Sequence, residues 1–152
     1  MRAEARKPFL SVLAGGQRAG LPLASVREIM RPLPIAGVAG APHFVLGLSV
    51  VRGVSLPVVN LGALLGEARV QTDFGRFVRL EFETRSVALA VERVNGVVEL
   101  DPQALSGMPP LLSRAANELV DMLALHDSAL LLVLKTARLV TQLPEINAEV
   151  AP

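Results

Sequence analysis

The chain has 152 residues and a formal net charge of +1, with no cysteine and only two lysines, Lys7 and Lys135, among fifteen basic residues. That near-neutral balance excludes electrostatic capture of nucleic acid as the main activity. The missing thiols exclude a disulfide framework and thiolate metal sites. Hydrophobic residues make up 51% of the chain, yet the five aromatics are all Phe, so Leu, Val and Ala must build the core. This is a globular composition. No stretch approaches the roughly 18–20 apolar residues of a membrane span, and the charged N-terminus lacks a signal-peptide pattern. A soluble, cytoplasmic protein is expected.

Residues 1–8 mix charges ahead of the first apolar run and read as a tail. Residues 9–14 and 19–23 are short apolar segments around Gly15-Gly16, which predicts a hairpin. Pro22 places the end or an edge of the second strand there. Ser25-Val26-Arg27-Glu28 has capping-box spacing. It predicts a short helical turn through Ile29 and Met30, stopped by Pro32 and Pro34. Residues 31–42 form a Pro-, Gly- and Ala-rich loop.

Residues 44–51 and 54–59 are two strand-like runs joined at Arg52-Gly53. Pro57 cannot donate to a central ladder, so a bulge or an edge is expected near it. Leu61–Leu65 has helical spacing, with Asn60 as a candidate cap and Gly66 able to end the helix. After a connector at 70–75 comes the clearest strand. Val78, Leu80 and Phe82 alternate with Arg79, Glu81 and Glu83, which predicts one wet face.

Val87, Leu89 and Val91 continue the alternation beyond a turn at Thr84-Arg85. Asn95-Gly96 is a turn signal within 94–100. Residues 101–114 read as a long loop. Residues 119–125 and 129–134 form a last strand pair around His126-Asp127-Ser128. Residues 136–143 have helical spacing, and 144–152 read as a second tail. One echo links the halves: a strand ending at Val59 leads to Leu64-Leu65, and a strand ending at Leu134 leads to Leu139-Val140 at the same distance. It hints at two similar β subdomains.

Catalytic signatures are missing. His43 and His126 are the only histidines, with no i, i+4 pair for zinc. No nucleophile elbow, phosphate loop or dinucleotide fingerprint occurs. The carboxylates of Glu81 and Glu83 share an ordinary solvent face, and Asp127 beside His126 reads as turn chemistry. The sequence therefore points to a non-enzyme without cofactor or metal.

Three segments together resemble one family. They are Leu21-Pro22-Leu23-Ala24-Ser25-Val26-Arg27-Glu28-Ile29, the run from Pro42 through Gly47 and Arg52-Gly53 to Leu61, and Val87-Ala88-Leu89-Ala90-Val91-Glu92-Arg93-Val94. They resemble the CheW-like domain of chemotaxis coupling proteins and of the CheA histidine kinase, over about residues 9–143. The resemblance implies an all-β fold, two small five-stranded SH3-like barrels packed together with short helices. It also implies an adaptor joining chemoreceptor cytoplasmic tips to the regulatory domain of a CheA-type kinase.

Arg52 matches the arginine that the family places near its receptor-contacting groove; holding a loop carbonyl or a carboxylate is the structural alternative. Val26, Glu28, Ile29, Val38, Phe44 and Val51 are the other candidate partner-binding residues, each with core or capping alternatives. The sequence departs from the family at Val50, usually Asn; at Asn60, usually Asp; and at Glu92, more often Asp. These departures support a second reading, a divergent adaptor of a surface-motility or other non-flagellar chemosensory pathway. A third, from another class, is an orphan enzyme or small-ligand binder, which would need a deep polar pocket.

Overall fold

The computed structural model describes residues 6–67, 73–101, 105–106, 120–126 and 129–141. The expected tails lie largely outside these. Strand β1 (Lys7–Ala14) begins two residues earlier than expected and takes in Lys7 and Pro8. It forms the expected hairpin with β2 (Gln17–Pro22), closed by the Ala14–Gln17 pair. Gly15 and Gly16 between them have φ of +58° and +76°. Positive φ at both central residues is the type I′ geometry, whose twist matches that of the strands it joins.

The expected helical turn after Pro22 is not formed. Residues Leu23–Ser25 make a single 3₁₀ turn with no side-chain cap, and Val26–Met30 is strand β3. Only nine residues separate Pro22 from Pro32, too few to offset helix nucleation. A neighbouring strand offers the same backbone groups a full ladder, and Val26 and Ile29 are β-branched residues suited to it. Strands β4 (Val45–Val51) and β5 (Val54–Asn60) follow as expected, joined at Arg52-Gly53. Pro57 is in neither an edge strand nor a bulge. Strand β5 is interior, but its parallel pairing with the next strand begins at Val58, one residue after the proline. The bulge falls in β4, between Val45 and Gly47.

Helix α1 (Leu61–Leu64) is capped by Asn60, whose Oδ1 accepts from the Ala63 N–H at 3.2 Å. Strands β6 (Arg76–Phe82) and β7 (Arg85–Val91) form a hairpin that turns at Glu83-Thr84, one residue earlier than expected. Strand β8 (Arg93–Leu100) runs straight through Asn95-Gly96. That dipeptide makes a bulge against β1, not a turn: Gly96 pairs Ser11 and Val94 pairs Val12, leaving Asn95 as the extra residue. A two-residue strand, β9 (Leu105–Ser106), lies in the expected long loop. Strands β10 (Val120–His126) and β11 (Ala129–Leu134) and helix α2 (Thr136–Thr141) complete the described chain.

The strands form two β subdomains, a six-stranded sheet in the order β8-β1-β2-β11-β10-β9 and a five-stranded sheet in the order β3-β6-β7-β5-β4. They share one core. Leu10, Val12 and Leu21 of the first sheet join Val78, Leu80, Val87 and Leu89 of the second, with Leu61 and Leu139 from the helices. Each sheet also covers a smaller cluster on its other face, around Phe9 and Leu131 in one and Phe77 and Val58 in the other. Phe77 and Arg79 lie on the β6 face expected to be wet, and Phe77 is fully buried.

The two sheets repeat one register. Strand β8 pairs with β1 as β3 pairs with β6, each with one extra residue, Asn95 or Arg27. Strand β11 joins β2 in parallel as β5 joins β7. Strands β10 and β11 carry a bulge where β4 and β5 do. Even the Ala36–Leu48 bridge has its counterpart in the Ser106–Leu123 pair. The echo from Val59 to Leu64 and from Leu134 to Leu139 belongs to this repeat. Its order is permuted: the hairpin that closes the second sheet, β6–β7, is matched in the first by β1–β2, from the start of the chain.

Gly47 holds the β4 bulge. Its φ is +146°, and a Cβ there would run into the Ala36 carbonyl. Ala36 exchanges two 2.8 Å backbone hydrogen bonds with Leu48 and cannot retreat without losing them. Gly53, at φ +80°, has nothing within 4 Å of an added Cβ. Gly53→Ala should therefore cost about 1 kcal/mol from backbone strain alone, and Gly47→Ala about 3 kcal/mol or more from strain and clash together. Urea unfolding of the two variants measures the difference; equal costs would contradict the role given to Gly47.

Candidate functional site

The β3 bulge decides where Glu28 points. Val26 pairs with Leu80 and Glu28 with Arg79, so Arg27 is the extra residue. Plain alternation would put Val26 and Glu28 on the same face. With the bulge, Val26 and Ile29 face the shared core side, and Glu28 turns to the opposite face, beside Arg79. Re-aiming one side chain is what such a bulge does.

Arg52 reaches Glu28 from the other side of the sheet. It sits in the two-residue turn between β4 and β5, with φ of +50° followed by +80° at Gly53. A non-glycine residue in that conformation costs about 1 kcal/mol. The turn aims its guanidinium at the Glu28 carboxylate. Nε lies 3.1 and 3.2 Å from the two carboxylate oxygens, and Nη2 donates to Oε2 at 3.0 Å. This is the bidentate fork for which arginine is suited. Strands β3 and β4 are the two edges of the five-stranded sheet, so the ion pair brings those edges together. The 31–42 loop helps: Ala36 bridges to Leu48, and the Ser49 hydroxyl donates to the Pro34 carbonyl at 2.8 Å.

Arg79 completes the cluster. Its Nη1 is 3.8 Å from Glu28 Oε1, and its side chain is only 17% exposed, against 76% for Arg52. Beside them Arg27 pairs with Glu81 at 3.1 Å. The Arg52 hydrogen bonds hold the Glu28 carboxyl below the usual glutamate range, with partial burial opposing them and the positive charges of Arg52 and Arg79 adding to them. Glu28 in turn raises Arg52 above its already high ordinary value.

Exposed apolar residues lie near Arg52 and Glu28 along the chain. Val50 and Val54, two residues either side of Arg52, are 58% and 50% exposed, and Ile29 beside Glu28 is also exposed. Of the other sequence candidates, Val26 and Phe44 are half-buried against the shared core. The Phe44 ring also meets His43 edge-on at 5.5 Å. Val38 is half-buried in the loop. Val51 is 2% exposed and presents no side-chain surface to a partner. The outward residue of that pair is Val50, which sequence reasoning missed, because two adjacent valines leave the strand phase open. Arg79 was missed too; only the β3–β6 pairing reveals it.

A separate open depression of about 190 Å³ is lined by Gly75, Arg76, Glu92, Arg93 and Val94. Its charged groups are already engaged. Glu92 accepts from the Gly16 N–H, Arg76 donates to the Gly75 carbonyl, and Arg93 donates to Asn95. It does not gather the convergent unsatisfied groups of a reactive pocket. No group of His, Cys, Asp or Glu suited to a metal occurs among the described residues. No described helix is long and apolar enough to cross a membrane.

The family model for the CheW-like domain matches residues 8–143. The chain belongs to the CheW-like domain family. The chemotaxis protein CheW of Klebsiella aerogenes is 28% identical over 127 residues, covering 82% of this chain and 76% of that protein. CheW of Helicobacter pylori is 22% identical over 110 residues, covering 72% and 67%. Among solved structures, the scaffolding protein TtCheW from Thermoanaerobacter tengcongensis superposes with a TM-score of 0.75 at 22% identity, over 86% of this chain and 89% of its own. That likeness supports the two-subdomain CheW fold. The CheW-like family is one of adaptors and scaffolds, and the Glu28–Arg52 fork lies inside the matched region.

The lowered Glu28 carboxyl has a defined sign. The folded state holds the carboxylate more tightly than the unfolded chain, so its stabilising contribution is complete above the ordinary value of 4.5. It is lost as pH falls through that value and on through the folded one. Glu28→Gln should remove this part of the acid dependence. Urea midpoints measured across the acid range check it, and curves of unchanged steepness would contradict it.

Proposed function

We propose that this CheW-like chain is a cytoplasmic, non-catalytic adaptor coupling chemoreceptor cytoplasmic tips to the regulatory domain of a CheA-type histidine kinase. The observation that carries this reading is the exposed Arg52 guanidinium, forked to Glu28, with the exposed Val50 and Val54 two residues away along the chain on either side. A charged group set among a few apolar anchors is the composition of a docking hot spot. Receptor signals would reach the kinase because the adaptor binds the two states of the assembly with different free energies.

The repeat supports a role for the cluster beyond holding the fold. The positions in the six-stranded sheet that match Glu28 and Arg79 are Gly96 and Ser11. That sheet keeps the same bulge and register without an ion pair. The charges of the five-stranded sheet are therefore not what its register requires.

Val50 favours a second reading within the same class. The CheW-like family usually carries Asn there, and this chain exposes an apolar side chain instead. Such a change suits a divergent receptor or kinase, as in a surface-motility or other non-flagellar system. Pull-down against receptor tips and kinases from the same genome separates the two pathways.

Arg52→Ala should abolish or weaken by at least tenfold the receptor-dependent kinase response in a reconstituted array, with the urea midpoint of unfolding little changed, because an exposed ion pair contributes little to stability. An undiminished response would remove Arg52 from the coupling surface.

A further inference from the structure

Two arginines face one carboxylate at Glu28, and they differ in freedom. Arg52 is on an exposed turn and can swing away. Arg79 is in the middle of β6, paired with Glu28 on one side and Ala88 on the other. Its Nε is buried and has no hydrogen-bond partner among the described residues. Its Nη1 stands at 3.8 Å from Glu28, close enough for attraction but too far for a hydrogen bond. A buried, unsatisfied guanidinium nitrogen is costly, so Arg79 gains whenever Glu28 turns toward it. The other carboxylate at hand, Glu81, is engaged by Arg27. Three arginines against two glutamates leave this cluster with one positive charge in excess.

We propose that Arg79 is a reserve partner for Glu28, a positioning residue that lets Arg52 be handed to an acidic group on a docking protein. In the free protein Arg52 occupies the carboxylate with its fork. When a partner carboxylate takes the Arg52 guanidinium, Glu28 moves the short distance onto Arg79. The exchange leaves no buried charge unpaired, which would otherwise weaken binding. The excess positive charge selects an acidic partner surface. The partner step rests on the adaptor reading above; the exchange within the chain does not.

The test begins on the full chain without any partner. Side-chain ¹⁵N–¹H spectra of the arginine Nε–Hε groups are recorded for wild type and Arg52→Ala. In Arg52→Ala the Arg79 Nε–Hε signal should move downfield and exchange with water at least tenfold more slowly, as its guanidinium closes on Glu28. Arg52→Ala/Glu28→Gln should reverse both changes, which a general change of packing would not. An Arg79 signal unmoved in Arg52→Ala overturns the exchange, whatever the protein binds.

The second arm measures binding to the cognate kinase's regulatory domain and to receptor tip peptides with and without their acidic residues. Arg79→Lys keeps the charge but loses the planar fork. It should weaken binding about fivefold to the acidic form and leave the neutralised form unchanged. Equal weakening of both forms overturns Arg79 as the device that frees Arg52. Failure of the wild type to bind any of these partners overturns the adaptor reading and the handover to a partner, while the spectra still decide the exchange at Glu28.

Discussion

Leu10, Val12 and Leu21 from one sheet pack against Val78, Leu80, Val87 and Leu89 from the other. The rest of the structure depends on that contact. Each side chain contributes about 1.5–3 kcal/mol by leaving water. A two-stranded ribbon is marginal by itself and needs a second layer to bury its face. Because the core is shared, neither sheet is an independent unit. Strand β7 shows the consequence: Val87, Leu89 and Val91 enter the shared core, while Ala88 and Ala90 enter the small cluster behind it. A strand buried on both faces fixes the sheet around it. The edges β3 and β4 are then free to differ from their counterparts, and the ion cluster is built there.

The division of labour between the repeated sheets follows from this. Bulges at matching places in β3 and β8 rotate one residue to the far face. In β8 that residue is Gly96, which brings no chemistry. In β3 it is Glu28, which brings a carboxylate to two arginines. One backbone device thus serves shape in one half and charge placement in the other.

Much of this fold was legible in the sequence. The Gly15-Gly16 hairpin, the β4–β5 pair, the Asn60 cap and the alternation of Val78 and Leu80 all followed from local chemistry. The errors share a physical cause. Ser25 and Glu28 have the spacing of a capping box, but β6 offered Val26–Met30 a ladder, and Arg52 competed for the Glu28 carboxylate. Asn95-Gly96 is a good turn pair, yet the ladder with β1 absorbed it as a bulge. In each case a partner distant in sequence outweighed a local preference of about 1 kcal/mol.

The site was half visible for the same reason. Arg52 stood out beside Gly53, and Glu28 was a candidate partner contact whose alternative, a helix cap, it does not form. Their contact spans 24 positions, and nothing local announces it. Arg79 looked like one more outward residue on a wet face, because the loop and clusters that cover that face come from elsewhere in the chain. The expected turn at His126-Asp127-Ser128 falls partly outside the described residues, which stop at His126 and resume at Ala129.

The permuted order of the repeat bears on how the protein is made. The strands of the five-stranded sheet follow one another between residues 26 and 91, so they leave the ribosome as a set. The β1–β2 hairpin emerges before all of them, yet its parallel neighbour β11 is synthesised after them. Leu10, Val12 and Leu21 can pack on the five-stranded sheet once it is made, but the β2 edge stays unpaired until β11 arrives. Closing a loop of more than a hundred residues is the slow kind of β pairing. Completion of the six-stranded sheet thus follows that of the five-stranded sheet, and in the interval between them the open β2 edge is exposed to aggregation and proteolysis.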